Sequence, residues 1–313
     1  LVSEEPQKEF INLFWEQGAH ESEAYGEAIA IFNGLNCLNV LNDWNSCIPN
    51  GGTTMRIMIL NHQSKREGSP EYEARVAKLL AGFASPGTTI EVHYPEDLGG
   101  TEVTSHLRKS QALAGLHHAL ETPALVKKII EAERSGFDAV VLSNTFDPGV
   151  EVARCAVRIP VIGVLRVACH FAATLCDRFG LIAPLDSHAI YARRIVENYR
   201  MGRFVSGIKA INTYEVGDLS SYHDLLVERM LAVGRDLIAE GAHAIIPLGG
   251  RLVPYVVSPL ELEAELKVPV INTKLVGIRH AETLVNGKTS HSLKSYPWSE
   301  GLAPENISRR AIE

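Results

Sequence analysis

The chain has 313 residues, 46% hydrophobic and 21% charged, with a formal net charge of −7 at pH 7. That make-up fits a globular protein long enough for two ordinary domains, and its mild acidity, without a basic stripe, argues against nucleic acid as a partner. No apolar run approaches the ~20 residues of a membrane span, so no membrane partner is expected.

The five cysteines, Cys37, Cys47, Cys155, Cys169 and Cys176, form no paired CxxC pattern, which points to a reducing cytoplasm rather than a disulfide framework. Residues 1–54 differ from the rest in their Asn-rich run, Asn33 to Asn42, and lack the basic-then-apolar pattern of a secretory signal. Met55 reads as a natural start. The leader is expected to be either an added or upstream-translated extension or a small helical cap.

From Met55 strands and helices alternate. Met55 to Leu60 reads as a first strand. Pro70 to Ala84 reads as a helix with Tyr72, Val76, Leu79, Leu80 and Phe83 on one face, and Ile90 to His93 as a second strand. A Gly, Thr and Ser loop over Gly99 to Ser105 follows, then a segment carrying His106, His117 and His118. A helix is expected to begin at Thr122-Pro123-Ala124 and end near Ser135-Gly136.

Val140, Val141 and Leu142 read as a buried strand, and Asp147-Pro148-Gly149 as the opening of a helix running Val150 to Arg154. The small polar residues between them, at a strand end and beside free helix N–H groups, suit an anionic ligand, so Ser143 to Asp147 is the first candidate site. Arg158 to Val164 closes this half.

The second half repeats the plan. Helices are expected over Cys169 to Asp177, Ser187 to Tyr199 (capped by Asp186 or Ser187) and Ser221 to Glu240, with strands over Phe179 to Ile182 and Ile208 to Ile211. Gly136 to Leu142 matches Gly241 to Pro247, and Arg158 to Gly163 matches Lys267 to Asn272, with a loop and helix of similar length between each pair. The expected fold is therefore α/β, with two similar Rossmann-like lobes of parallel sheet related by a pseudo-twofold and the active site in the interlobe cleft. The first lobe is expected to comprise 55–165 plus about 272–300, and the second 166–271.

Several segments, in order, resemble the aspartate/glutamate/hydantoin racemase superfamily, closest to its hydantoin and allantoin racemase branch. They are Leu60-Asn61-His62-Gln63-Ser64, Ser85 to Glu91, Phe146 to Ala153, Ile159 to Gly163 and Lys267 to Ile271. The resemblance runs from about Met55 to Leu284. It implies a mechanism in which two cysteines, one per lobe, flank a substrate Cα, one thiolate taking the proton and the other thiol returning it, while surrounding N–H groups hold the developing charge.

This sequence departs from that pattern. The first cysteine position falls on Asn144, beside Thr145, and the second on Gly249 or Gly250. The inherited scaffold therefore comes without the two thiols.

Asp147, Thr145 and His170 are the candidate catalytic residues, with Asp147 alternatively a cap for the helix that follows it. Asn61, Gln63, Ser64, Ser143, Asn144, Phe146, Gly249, Gly250, Arg251 and Tyr255 are the candidate substrate contacts; Arg251 suits a carboxylate or phosphate clamp, or is a plain surface residue. No HxxxH or HxH spacing appears, so no metal is expected, and no cofactor.

The reading is an enzyme acting on a small carboxylate, amide or cyclic ureide by diverged chemistry, as hydrolase, decarboxylase or lyase. A true racemase using other bases and a non-catalytic ligand-binding protein are the alternatives. The resemblance also implies a homo-oligomer.

Overall fold

The computed structural model describes residues 54–61, 70–96, 114–213 and 219–297. Two parallel sheets organise them. The first has the order β2-β1-β3-β4, built from β1 (Met55–Leu60), β2 (Thr88–His93), β3 (Ala139–Leu142) and β4 (Val161–Gly163). The second has the order β6-β5-β7, from β5 (Phe179–Ala183), β6 (Val205–Ala210) and β7 (Ile245–Pro247), and a parallel bridge from Ile245 to Val270 extends it. The order of the four positions is the same in both halves, as the paired sequence segments predict.

Side-chain alternation builds the layers. Along β1, Met58 and Leu60 enter one core with Val140 and Leu142 of β3. The opposite face carries Ile57 and Ile59 with Val141. Both faces are apolar because parallel sheets are covered on both sides. α1 (Pro70–Ala81) lies on one face, and α2 (Ala114–Arg134) with the short α3 (Val150–Arg154) on the other.

In the second lobe, α5 (Asp186–Asn198) packs on the face of Phe179 and Leu181. α6 (His223–Ala239) and α7 (Pro259–Leu266) pack on the face of Ile182 and Ile245. α4 (Val164–Leu175) leaves β4 of the first sheet, yet its Leu165, Ala168 and Ala172 fill the core of the second. α8 (Thr273–Asn286) leaves the second sheet, and its Ile278 and Ala281 fill the core of the first. Each lobe is thus completed by a helix that starts in the other.

Local expectations differ from the structure in a few places. Thr122-Pro123-Ala124 does not start α2: the helix begins at Ala114 and carries Pro123 in its interior. Pro removes one N–H there, and the Thr122 hydroxyl donates to the His118 carbonyl at 2.8 Å in the same turn. α4 begins at Val164, directly after β4, rather than at Cys169. α5 has Leu185 at its N-cap with no side-chain cap bond, so neither Asp186 nor Ser187 caps it. The Gly99 to Ser105 loop, His106 and nearly all of the 1–54 leader lie outside the described residues. Among the described residues no helix is long and apolar enough to cross a membrane.

The exchanged helices meet closely. A Cβ on Gly277 of α8 would stand 2.8 Å from Val164 Cγ1 and 3.2 Å from Val141 Cγ1. Gly277→Ala is therefore expected to destabilise the fold by about 1–3 kcal/mol through overpacking, read as a lower urea midpoint. An unchanged midpoint would mean that α8 is not seated against β3 and α4.

Candidate active site

The carboxyl ends of β3 and β7 face one another across the lobes. From the first lobe comes Ser143-Asn144-Thr145-Phe146-Asp147, all buried. From the second comes Leu248-Gly249-Gly250-Arg251. The two turns are bonded: the Gly249 N–H donates to Thr145 Oγ1 at 2.9 Å. A Cβ on Gly250 would lie 2.7 Å from the Ser143 carbonyl oxygen, so the second turn approaches the first as closely as glycine allows. The cleft keeps a cavity of ≈ 40 Å³, lined among others by His118, Asn144, Phe146, His188, Gly250 and Arg251. That is room for a few waters and for nothing larger.

Each residue of the first turn is held by a different element. Asn144 Oδ1 accepts the Phe146 N–H at 2.8 Å, which leaves Nδ2 to face His118 Nε2 at 3.1 Å. The amide therefore donates to His118, whose Nε2 is a lone-pair acceptor and whose proton sits on Nδ1. The His118 ring stacks on Tyr191 (5.1 Å between centroids, 18° between planes) and lies 5.3 Å from Phe146. Burial, then the neighbouring His117 and His188, hold its pKa well below the usual imidazole range, in keeping with the neutral ring the Asn144 bond requires. Burial, reinforced by His117, likewise pushes His188 down to about 4. Ser143 Oγ lies 3.5 Å from Tyr255 OH, and the Ser143 carbonyl accepts from Lys274 Nζ.

The Asp147 carboxylate is engaged by the helix after β4. Its carboxylate accepts the Leu165 N–H at 3.0 Å, the Arg166 N–H at 2.9 Å and the Tyr199 hydroxyl at 2.9 Å. It caps α4, the helix after β4, rather than α3, whose N-cap Gly149 receives no side-chain bond. Gly163 makes room for it, since a Cβ there would stand 2.6 Å from Asp147 Cγ. Burial still raises the carboxyl's pKa against these three donors and Arg154. Asp147 is turned away from the cavity and is a structural clamp.

His170 is also displaced. It is exposed on α4, close to His280, because α4 starts earlier than its sequence pattern suggests and carries this position around to the outer flank. Thr145 is fully buried, with its hydroxyl occupied by Gly249.

The substrate-contact candidates divide. Asn144, Phe146, Gly249, Gly250 and Arg251 line the cavity. Ser143 and Tyr255 stand beside it. Asn61 directly follows β1 and hydrogen-bonds Tyr94. Gln63 and Ser64 lie outside the described residues.

Sequence reasoning weighed His118 only as one of several histidines that could pair with Asp147, and missed His188 as a cavity residue and Lys274 altogether. Lys274 shares helical spacing with buried Gly277, Ile278 and Ala281, and that apolar stripe was the available signal. Cys155, Cys169 and Cys176 do not line the cavity. Among the described residues no group of three metal-ligating side chains converges.

Two like α/β lobes whose third-position strands end in facing turns define a two-lobed enzyme scaffold. Residues 65–281 match the Asp/Glu/Hydantoin racemase family model, and the chain belongs to that family. It is 30% identical over 183 residues to a hydantoin racemase of Pseudomonas sp. (strain NS671), covering 58% of this chain and 72% of that one. The fold is similar to an allantoin racemase from Klebsiella pneumoniae, with TM-score 0.64, 23% identity, and 80% and 99% of the two chains covered. It is also similar to one from Pseudomonas fluorescens, with TM-score 0.66, 18% identity, and 79% and 97% covered.

Two outcomes follow from these contacts. Asp147→Ala is expected to cost about 2 kcal/mol or more, since it uncaps α4 and strands the Tyr199 hydroxyl, as a denaturant titration would measure. A change within a few tenths would remove Asp147 from its capping role. His118 and His188 are held neutral in the fold but charge near pH 6.5 when unfolded, so the unfolded chain binds more protons below that pH. Stability should therefore fall from about pH 6.5 down to the folded His188 value of about 4, and His188→Leu should flatten that slope in thermal melts. An unaltered slope would contradict the burial of His188 as a neutral ring.

Proposed function

We propose that this chain is a racemase-family enzyme that acts in the interlobe cleft on a small carboxylate, amide or cyclic ureide, through carbon-acid chemistry that does not use two thiols. The observation that carries the reading is the pairing of the two turns. Asn144 stands on one and glycines on the other, no described cysteine lines the cavity between them, and a neutral His118 is bonded to Asn144.

A neutral imidazole at a water-poor cleft is a competent acid–base group, and Arg251 at the cavity wall suits a carboxylate or ureide oxygen. Among the described residues the Thr145 hydroxyl is bonded to a backbone N–H rather than to a base, and Ser143 Oγ has a long contact to Tyr255. An acyl-enzyme hydrolase needs an activated nucleophile, so these contacts favour proton transfer or decarboxylation, an isomerase or lyase reaction, over hydrolysis. The negative charge formed on the substrate would be met by Arg251 and the turn amides.

The test is incubation of 5-substituted hydantoins, amino acids and substituted malonates with the protein in D₂O, following the Cα position and released CO₂ by NMR. Deuterium incorporation or decarboxylation is expected with at least one class. His118→Gln should lower the rate by about 10²- to 10⁴-fold, and Arg251→Ala should act mainly by raising KM. No exchange and no CO₂ with any class would sink the enzyme reading. Saturable binding in that event would leave a small-ligand-binding protein.

A further inference from the structure

We propose that Lys274 supplies, from the first turn of α8, the acid–base group for the second-lobe side of the cleft, an assignment that rests on the carbon-acid reading above. The two glycines of the second turn would project side chains in different directions. A Cβ on Gly249, where φ is +92°, would strike Pro184 Cγ at 2.8 Å. A Cβ on Gly250 would enter the space between the turns, 2.7 Å from the Ser143 carbonyl oxygen and 3.4 Å from Lys274 Nζ. The resemblance matches the second thiol to one of these two positions, and only Gly250 aims at the first turn. The amine of Lys274 thus stands in van der Waals contact with the point where a Gly250 side chain would begin, just behind the residues that line the cavity. On the other side, His118 meets the end of the Asn144 side chain at 3.1 Å. Two flanking helices, α2 and α8, bring nitrogen bases to the places from which side chains on the turns would act.

The surroundings of the amine suit a base rather than a structural ion pair. Lys274 is 1% exposed, its Nζ donates to the Ser143 carbonyl, and among the described residues no carboxylate lies within ion-pair distance. Asn272 Oδ1 accepts the Lys274 and Leu275 N–H groups, so the residue sits at the positive end of α8, which disfavours a second positive charge. Among the described residues, Asp147 is the charged group whose field favours the ammonium. α4, packed against α8, carries Arg166, Cys169 and His170, and Tyr255 faces the Ser143 whose carbonyl the amine bonds. Burial outweighs Asp147 and brings the amine down to about 7, so both protonation states are populated at neutral pH, as a proton carrier requires.

The step is balanced within the pair. The neutral amine's lone pair takes the Cα proton, the C–H electron pair stays on the substrate as an enolate, and the ammonium returns the proton to carbon in the reverse direction. A substrate reaching Nζ takes the place of the Ser143 carbonyl that the amine now bonds.

Protein labelled with ¹³C at lysine Cε provides a readout independent of any substrate. One resonance should titrate near neutrality and be missing from K274M, whereas titration of Lys274 in the ordinary lysine range would overturn the proposal. With a substrate that exchanges in the wild type, K274M should retain binding and lose exchange by about 10²- to 10⁴-fold. K274A should regain part of the rate when ethylamine is added. Wild-type exchange rates in K274M would also overturn it. Absence of exchange in the wild-type protein is a separate outcome, which removes the carbon-acid reading itself and this assignment with it.

Discussion

The candidate site depends on one five-residue turn that cannot move on its own. Ser143 is tied to α8 through Lys274, Asn144 to α2 through His118, Thr145 to the opposite lobe through the Gly249 N–H, and Asp147 to α4 and to Tyr199 at the C-cap of α5 through its carboxylate. A strand-end loop with free amides would otherwise be a soft element. Here its polar atoms are shared among four helices and a second turn, which is the kind of pre-organisation that fixes donors where charge develops.

The exchange of α4 and α8 between lobes explains how those bonds arise together. α4 presents its first N–H groups to Asp147 because it leaves β4 at the same sheet edge, and it must then cross to fill the core of the second lobe. α8 starts at the second lobe and brings Lys274 beneath the first-lobe turn. Any separation of the two turns would therefore load two interlobe helix seats as well as the Thr145–Gly249 bond.

The alternation of strands and helices, the repeated segments and the location of the cleft were legible in the sequence because β-branched runs, glycine turns and the duplication carry them directly. The roles of Asp147 and His170 were not. An Asp before Pro-Gly reads locally as a cap for the next helix, and only the tertiary approach at Gly163 shows that it caps α4 instead. His170 follows from a helix start that lies at Val164, with no loop to announce it. Lys274 is hidden for a similar reason: a lysine in an amphipathic helix is ordinarily its solvent face, and its burial is set by two sheets that the sequence does not place side by side. The histidines of α2 and α5 are far apart in sequence and meet around Phe146 only because both helices cover the turn.

The central claim is that a small ligand enters between the two turns. Backbone amide NMR of the deuterated, ¹⁵N-labelled protein, titrated with a 5-substituted hydantoin or a substituted malonate, tests it most directly. The account predicts that the Gly249 amide, now bonded to Thr145, and the Gly250 amide shift together with Asn144 as the site fills. Saturable shifts confined to other surfaces, with Gly249, Gly250 and Asn144 unmoved, would contradict it.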